Sequence, residues 1–203
     1  MVDAKARRVL SAVALGIGLG LSAVAPGRAQ TPMPTGGAAV PPGGFLFFCA
    51  KHLSECSGVT APRVVDLSSA RRNELATVQV RVNLAIRYRD DPAHAWDYPD
   101  SGYGDCPKYA LEKQRELVEL GWPRQALLLA VAFTERGDPH LVLVVRTDEG
   151  DLVLDNRVTA VVAWTDLPYR WVARQSPINP ALWVAIEPSW RATADAGEPR
   201  STP

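Results

Sequence analysis

The apolar positions change period about half-way along the chain. Between Lys108 and Leu120, good helix formers place Ala110, Leu111, Leu117, Val118 and Leu120 on one side and Glu112, Arg115, Glu116 and Glu119 on the other. Pro107 suits a first helical position, where a missing N–H costs little, which puts Cys106 at the N-cap; Gly121 and Pro123 end the helix. Upstream, Leu67 to Asp90 carries two periods at once. Val78, Val80, Val82, Leu84 and Ile86 alternate as a strand would, whereas Leu75, Val78, Val82 and Ala85 fit a helical stripe behind a Ser68/Ser69 cap. Helix is the reading favoured. Downstream, Leu127–Phe133, Leu141–Val145 and Leu152–Leu154 are apolar runs of strand length, and Asp148-Glu149-Gly150 between the last two reads as a hairpin turn. Val158–Trp164, Arg170–Ala173 and Leu182–Ile186 are further strand candidates. Helices first and strands afterwards argue an α+β fold with an antiparallel sheet.

The two ends set the limits of the domain. Residues 1–29 read as an export signal, with Lys5, Arg7 and Arg8 ahead of an apolar run from Val9 to Ala25 and a small-residue cleavage pattern ending at Ala29. The alternative is an uncleaved membrane anchor, for which the run is short. Residues 30–44, rich in Pro and Gly, read as a flexible linker, residues 45–190 as one folded domain and residues 191–203 as a disordered tail. The full chain has 22 basic and 22 acidic residues; cleavage after Ala29 would leave 18 and 21. A mildly acidic chain has no basic footprint for nucleic acid, and once its signal is removed it has no segment for stable membrane insertion.

An exported protein with three cysteines has one left over. Cys49 and Cys56 are close in sequence, and an oxidising compartment favours their pairing, which leaves Cys106 free. Three reduced, buried thiols are the alternative. His52 and His94 make no recognised metal spacing with the cysteines, so no metal site is read. A thiol at a helix start is biased toward the nucleophilic thiolate by the helix dipole. The loop from Asp91 to Gly104, with Trp96, Tyr98 and Tyr103, runs into Cys106 and forms either a cleft wall or a packed cover over the core. His140 enters one strand and Asp155 ends its partner. A hairpin loop of even length sets His140 opposite Arg157 and Asp155 diagonally on the same face, whereas an odd loop separates them. Cys106, His140 and Asp155 could thus serve as nucleophile, base and orienting carboxylate, or as a structural cysteine, a surface histidine and a turn cap.

The ordered set Gly104-Asp105-Cys106, Tyr109, Gly121-Trp122-Pro123, His140-Leu141-Val142-Leu143, Val153-Leu154-Asp155-Asn156, Tyr169-Arg170-Trp171, Arg174-Gln175-Ser176 and Trp183, with Phe48-Cys49 and Glu55-Cys56 before it, resembles the bacterial transglutaminase-like cysteine proteinase family. The resemblance implies a papain-like, transglutaminase-like α+β fold, a periplasmic or secreted location, and a Cys106, His140, Asp155 triad. It also implies a protein substrate, of which large surface adhesins that control biofilm attachment are the best-understood case, and a regulatory membrane-protein partner. The Cys106 N–H would be one oxyanion donor, and Trp96 and Asp105 would line the cleft, Trp96 as wall or second donor. Calcium dependence in the family relies on acidic residues flanking the cysteine. This chain instead has Pro107-Lys108 after the cysteine and keeps only Asp105, so the expectation is no cofactor and weak or absent calcium binding, with Lys108 adding positive potential beside the thiolate. Two other functions remain open: a non-catalytic binding or regulatory module on the same fold, and acyl transfer to an amine.

Overall fold

The sheet begins earlier than the composition suggests. In a computed structural model that describes residues 31–58, 60–93 and 95–187, the Gly- and Ala-rich run Thr35–Ala39, expected within a flexible linker, is strand β1. Strand pairing there needs no side-chain signal: β1 lies antiparallel against the last strand of the chain, with Ala39 opposite Trp183. The signal segment 1–29, the tail 191–203 and His94 lie outside the described residues. Helix α1 (Gly43–Lys51) follows, burying Phe45 and Phe48. A disulfide joins Cys49 to Cys56 with 5.7 Å between Cα atoms, tying α1 to the 3₁₀ turn that follows it.

The double period upstream of the cysteine resolves as helix α2 (Ser69–Ala85), whose N-terminus is capped by Ser68 Oγ accepting from the Arg71 N–H at 3.3 Å. Its buried residues Leu75, Val78, Gln79 and Val82 follow the helical stripe, while Val80 and Leu84 of the alternating set face solvent. Two short parallel strands, β2 (Arg87–Tyr88) and β3 (Tyr103–Gly104), bracket the aromatic loop. Helix α3 then runs over Cys106–Glu119 with Asp105 as its N-cap, one residue earlier than expected, so Cys106 is the first helical residue and Pro107 the second. Gly121, at φ 88°, ends it, and Leu120, expected on the apolar side, is exposed.

The strands are β4 (Leu127–Phe133), β5 (Pro139–Thr147), β6 (Gly150–Leu154), β7 (Val162–Ala163), β8 (Arg170–Gln175) and β9 (Trp183–Ile186). With β1 they form one seven-stranded sheet in the order β1-β9-β8-β4-β5-β6-β7, antiparallel at every pairing. Only two residues of the candidate strand Val158–Trp164 are extended. The segment before them is held instead by α2: Gln79 Nε2 donates to the Asp155 and Val158 carbonyls at 2.8 and 2.7 Å, and Asn83 Nδ2 donates to the same two at 3.2 and 3.0 Å.

Both sheet faces are covered, which is why β4 and β5 read as unbroken apolar runs. Leu129, Leu143 and Leu154 pack against the helices, where Leu75, Val78, Leu111 and Leu117 meet them. Leu128, Val142, Val144 and Val153 face the other way, under Met33 and Trp164. Among the described residues no helix is long and apolar enough to cross a membrane.

One core position breaks the pattern. Lys113 on α3 is fully buried, its Nζ without a hydrogen-bond partner among the described residues and 6.0 Å from the Tyr109 ring centroid. Burial drives this ammonium down from 10.5 to about 7, with the Asp155 charge opposing the shift. Between those two values the unfolded chain holds the proton and the folded one does not, so stability rises with pH across that window, and below it the full cost of a buried charge remains. Lys113→Met is therefore expected to stabilise the fold at neutral pH by a few kcal/mol, on the order of the linkage energy. Its melting temperature should also lose the wild type's rise between neutral and alkaline pH. Equal melting curves for the two proteins across that range would refute this.

Candidate active site

The hairpin between β5 and β6 decides the geometry. Thr147 pairs with Gly150, leaving Asp148-Glu149 as a two-residue turn, and the register runs back through Leu143 opposite Leu154. The loop is even, so Asp155 falls diagonally from His140 on the same face, as the arithmetic allowed. His140 Nε2 and Asp155 Oδ1 are 2.8 Å apart, and both side chains are buried. Asp155 accepts two more hydrogen bonds, at Oδ2 from the Tyr169 hydroxyl at 2.6 Å and at Oδ1 from the Arg157 N–H at 2.9 Å. Burial on its own would raise the Asp155 carboxyl, but the bonds from His140, Tyr169 and Arg157 outweigh it and hold the group below the usual carboxylate range.

Sequence reasoning gave Tyr169 no role. The residue stands inside a recognisable motif, but nothing local shows that it reaches Asp155. In the structure its ring lies edge-on to His140, with centroids 5.6 Å apart. Gln79 and Asn83 were likewise invisible as supports, because both sit on a helix far away in sequence; through the Asp155 carbonyl they fix the backbone of the carboxylate that faces His140.

Cys106 and His140 line one cleft, together with Trp96, Asp105, Val131 and Leu141. The Cys106 sulfur lies against the backbone N–H of Leu141, the residue after His140. The expectation of a thiolate is overturned. Burial pushes the thiol up to about 11, with Asp105 adding to the rise, and the N–H groups of Leu141 and of Cys106 itself recover only part of it. The resting side chain is a neutral thiol that needs a base to become a nucleophile.

The aromatic loop is both wall and cover. Trp96 faces the cleft; it also packs edge-on against Phe45, with centroids 6.1 Å apart, and lies tilted against Trp183 at 6.3 Å. A Cβ at Gly44 would fall inside its indole, so α1 needs glycine there. Lys108, expected to add positive potential beside the sulfur, is engaged by oxygens. Its Nζ is held by Asp91 Oδ2 at 2.8 Å, the Ala95 carbonyl at 3.1 Å and Asp105 Oδ1 at 3.3 Å. His52 pairs with Asp97 at 3.1 Å, and among the described residues no group of three or more His, Cys, Asp or Glu is placed to hold a metal ion.

The model of one protein family, described as the bacterial transglutaminase-like cysteine proteinases, matches residues 35–190. The chain belongs to this family. It is thus a transglutaminase-like cysteine peptidase with a protein substrate, and the match starts at β1, not after it. No curated protein matches the chain. Among solved structures, the proteinase is similar to Legionella pneumophila LapG at 28% identity and TM-score 0.46, covering 61% of this chain and 74% of that one. A calcium-bound form of the same Legionella protein matches at 25% identity and TM-score 0.46, covering 62% and 80%, and an EGTA-treated form at 23% and 0.45, covering 62% and 78%.

Proposed function

We propose that the protein is an exported cysteine endopeptidase acting through Cys106, His140 and Asp155. The observation that carries this reading is the buried His140–Asp155 bond of 2.8 Å at the wall of the cleft that also exposes Cys106. With Nε2–H donated to Asp155, the neutral imidazole carries its lone pair on Nδ1, which makes Nδ1 the base nitrogen. The Cys106 thiol gives its proton to Nδ1 as its sulfur bonds to the substrate carbonyl carbon, and the carbonyl electron pair moves onto oxygen. Collapse breaks the C–N bond, the imidazolium returns the proton to the leaving amine, and water, deprotonated by the same nitrogen, hydrolyses the thioester. The Cys106 N–H at the open end of α3 is the first oxyanion donor, and the Trp96 indole is the wall and second donor. Because the free thiol is neutral, the proton leaves during attack, not before it.

Its substrates are taken to be exported or surface proteins, adhesins among them, which fits a periplasmic or secreted location and regulation by a membrane-protein partner. Calcium does not fit this site. The oxygens of Asp91, Asp105 and Ala95 already bond an ammonium that would repel the ion, and no step is assigned to a metal.

Adding the purified protein to surface and secreted proteins of the cell that makes it should create new protein N-termini, detected by terminal mass spectrometry. Pretreatment with iodoacetamide should remove them. Identical termini in both samples would leave the fold without peptidase function, and products joined to added amine would move the reading to acyl transfer.

A further inference from the structure

Two carboxylates and a backbone carbonyl converge beside the nucleophile, the sort of oxygen cradle that hard cations occupy. The cradle is filled from within the chain. Lys108 Nζ contacts Asp91, Ala95 and Asp105 at 2.8, 3.1 and 3.3 Å, and its side chain is only 14% exposed. The lysine stem is itself located by packing: a Cβ at Gly104 would come within 2.7 Å of the Lys108 Cβ, so the backbone before the nucleophile must be glycine for the stem to lie over it. The three oxygens come from two different pieces of structure. Asp105 stands at the N-cap position of α3, immediately before Cys106, whereas Asp91 and Ala95 belong to the aromatic loop that presents Trp96 to the cleft.

Resting on the peptidase reading above, we propose that the Lys108 ammonium is the resident cation of this site, a positioning residue that ties the Trp96 loop to the start of the nucleophile helix and makes the enzyme independent of divalent metal. An ammonium suits the role because it offers three donors to three acceptors and carries a single charge against two carboxylates, so the cluster stays net negative without a metal. Both anions are drawn to it: Lys108 is the main reason that the Asp91 carboxyl lies below its ordinary range. A metal ion entering the cradle would have to displace a tethered cation that is already held on three sides.

The test uses the full mature chain with calcium chloride and EGTA as probes. Hydrogen exchange over residues 89–104, the rate of Cys106 alkylation by iodoacetamide and cleavage of the protein substrate should be the same in calcium and in EGTA for the wild type, and calorimetry should detect no calcium binding. Lys108→Ala should lose loop protection and slow alkylation and cleavage roughly ten- to a hundredfold, the scale of a misplaced reacting group. Lys108→Arg, which keeps the charge, should recover part of all three. Lys108→Glu adds a third carboxylate to the cradle, so it should bind calcium and regain loop protection only when calcium is present. Calcium binding by the wild type, EGTA-sensitive loop protection in the wild type, or unchanged exchange and alkylation in Lys108→Ala would each overturn the proposal. Loop exchange and alkylation need no substrate, so a failure of the peptidase reading would show as absent cleavage with these two responses intact.

Discussion

Cys106→Ala eliminates cleavage, with kcat falling on the order of 10⁴-fold or more, because the acyl-enzyme of the proposed reaction forms on the Cys106 sulfur. The fold tolerates the change. Cys106 is in no disulfide, and removal of a single half-buried sulfur costs little beside the packing of the two sheet faces. The variant should also differ from the wild type in alkali. A thiol raised from 9.0 to about 11 holds its proton in the folded protein where the unfolded chain has lost it, so its stabilising effect is complete below the lower value and is lost as pH rises through the upper one. Alanine removes that slope. Melting temperatures across alkaline pH, with kcat on the identified substrate, check both halves. Residual turnover above a tenth of wild type, roughly 1.4 kcal/mol of barrier, would take the nucleophile's role from Cys106.

Asp155→Asn has the second largest effect, a fall in kcat of about 10³–10⁴ with little change in KM. The carboxylate is 1% exposed and accepts from three donors at once, His140, Tyr169 and the Arg157 amide. An asparagine of the same shape must turn an N–H₂ toward one of them. If it faces His140, Nε2 must become the acceptor and the proton moves to Nδ1, which removes the base. Tyr169→Phe removes one of the three bonds without altering the tautomer and should cost no more than about tenfold. Iodoacetamide reports the same effect without substrate. Wild-type Cys106 should alkylate at neutral pH, far below the titration of its own buried thiol, because His140 takes the proton. Asp155→Asn should need alkaline solution. Equal alkylation profiles would show that the imidazole does not depend on Asp155. The pair also contributes to acid stability: a carboxyl held below 3.8 stabilises the fold above that value and gives up the contribution as pH falls through its lower native value. Asp155→Asn should therefore show a shallower acid limb.

Where the site was legible, a residue type had a local reason to be where it is. Cys106 follows from a helix start written in Pro107 and the periodicity behind it, displaced by one residue because Asp105 takes the cap. The Cys49–Cys56 bridge follows from closeness in sequence and is present. Lys113 could not be anticipated. Its position on α3 lies on a face that the helical wheel leaves mixed, and only the packed sheet shows that water is excluded there. The thiol's high pKa was missed for the same reason. A helix N-terminus can be read along the chain, but desolvation is a property of what lies above it.

The sequence by itself determined the order of helices and strands, the candidate nucleophile and its helix, and the parity condition under which His140 and Asp155 could meet. Tertiary structure decided that the condition is met, that residues 35–39 pair as an edge strand, and that Lys108 pairs with Asp91 and Asp105. The division has one physical cause. Periodicity and capping are set by neighbours within a few residues, whereas turn length, desolvation and the partner of a long charged side chain are settled by groups that only folding brings together.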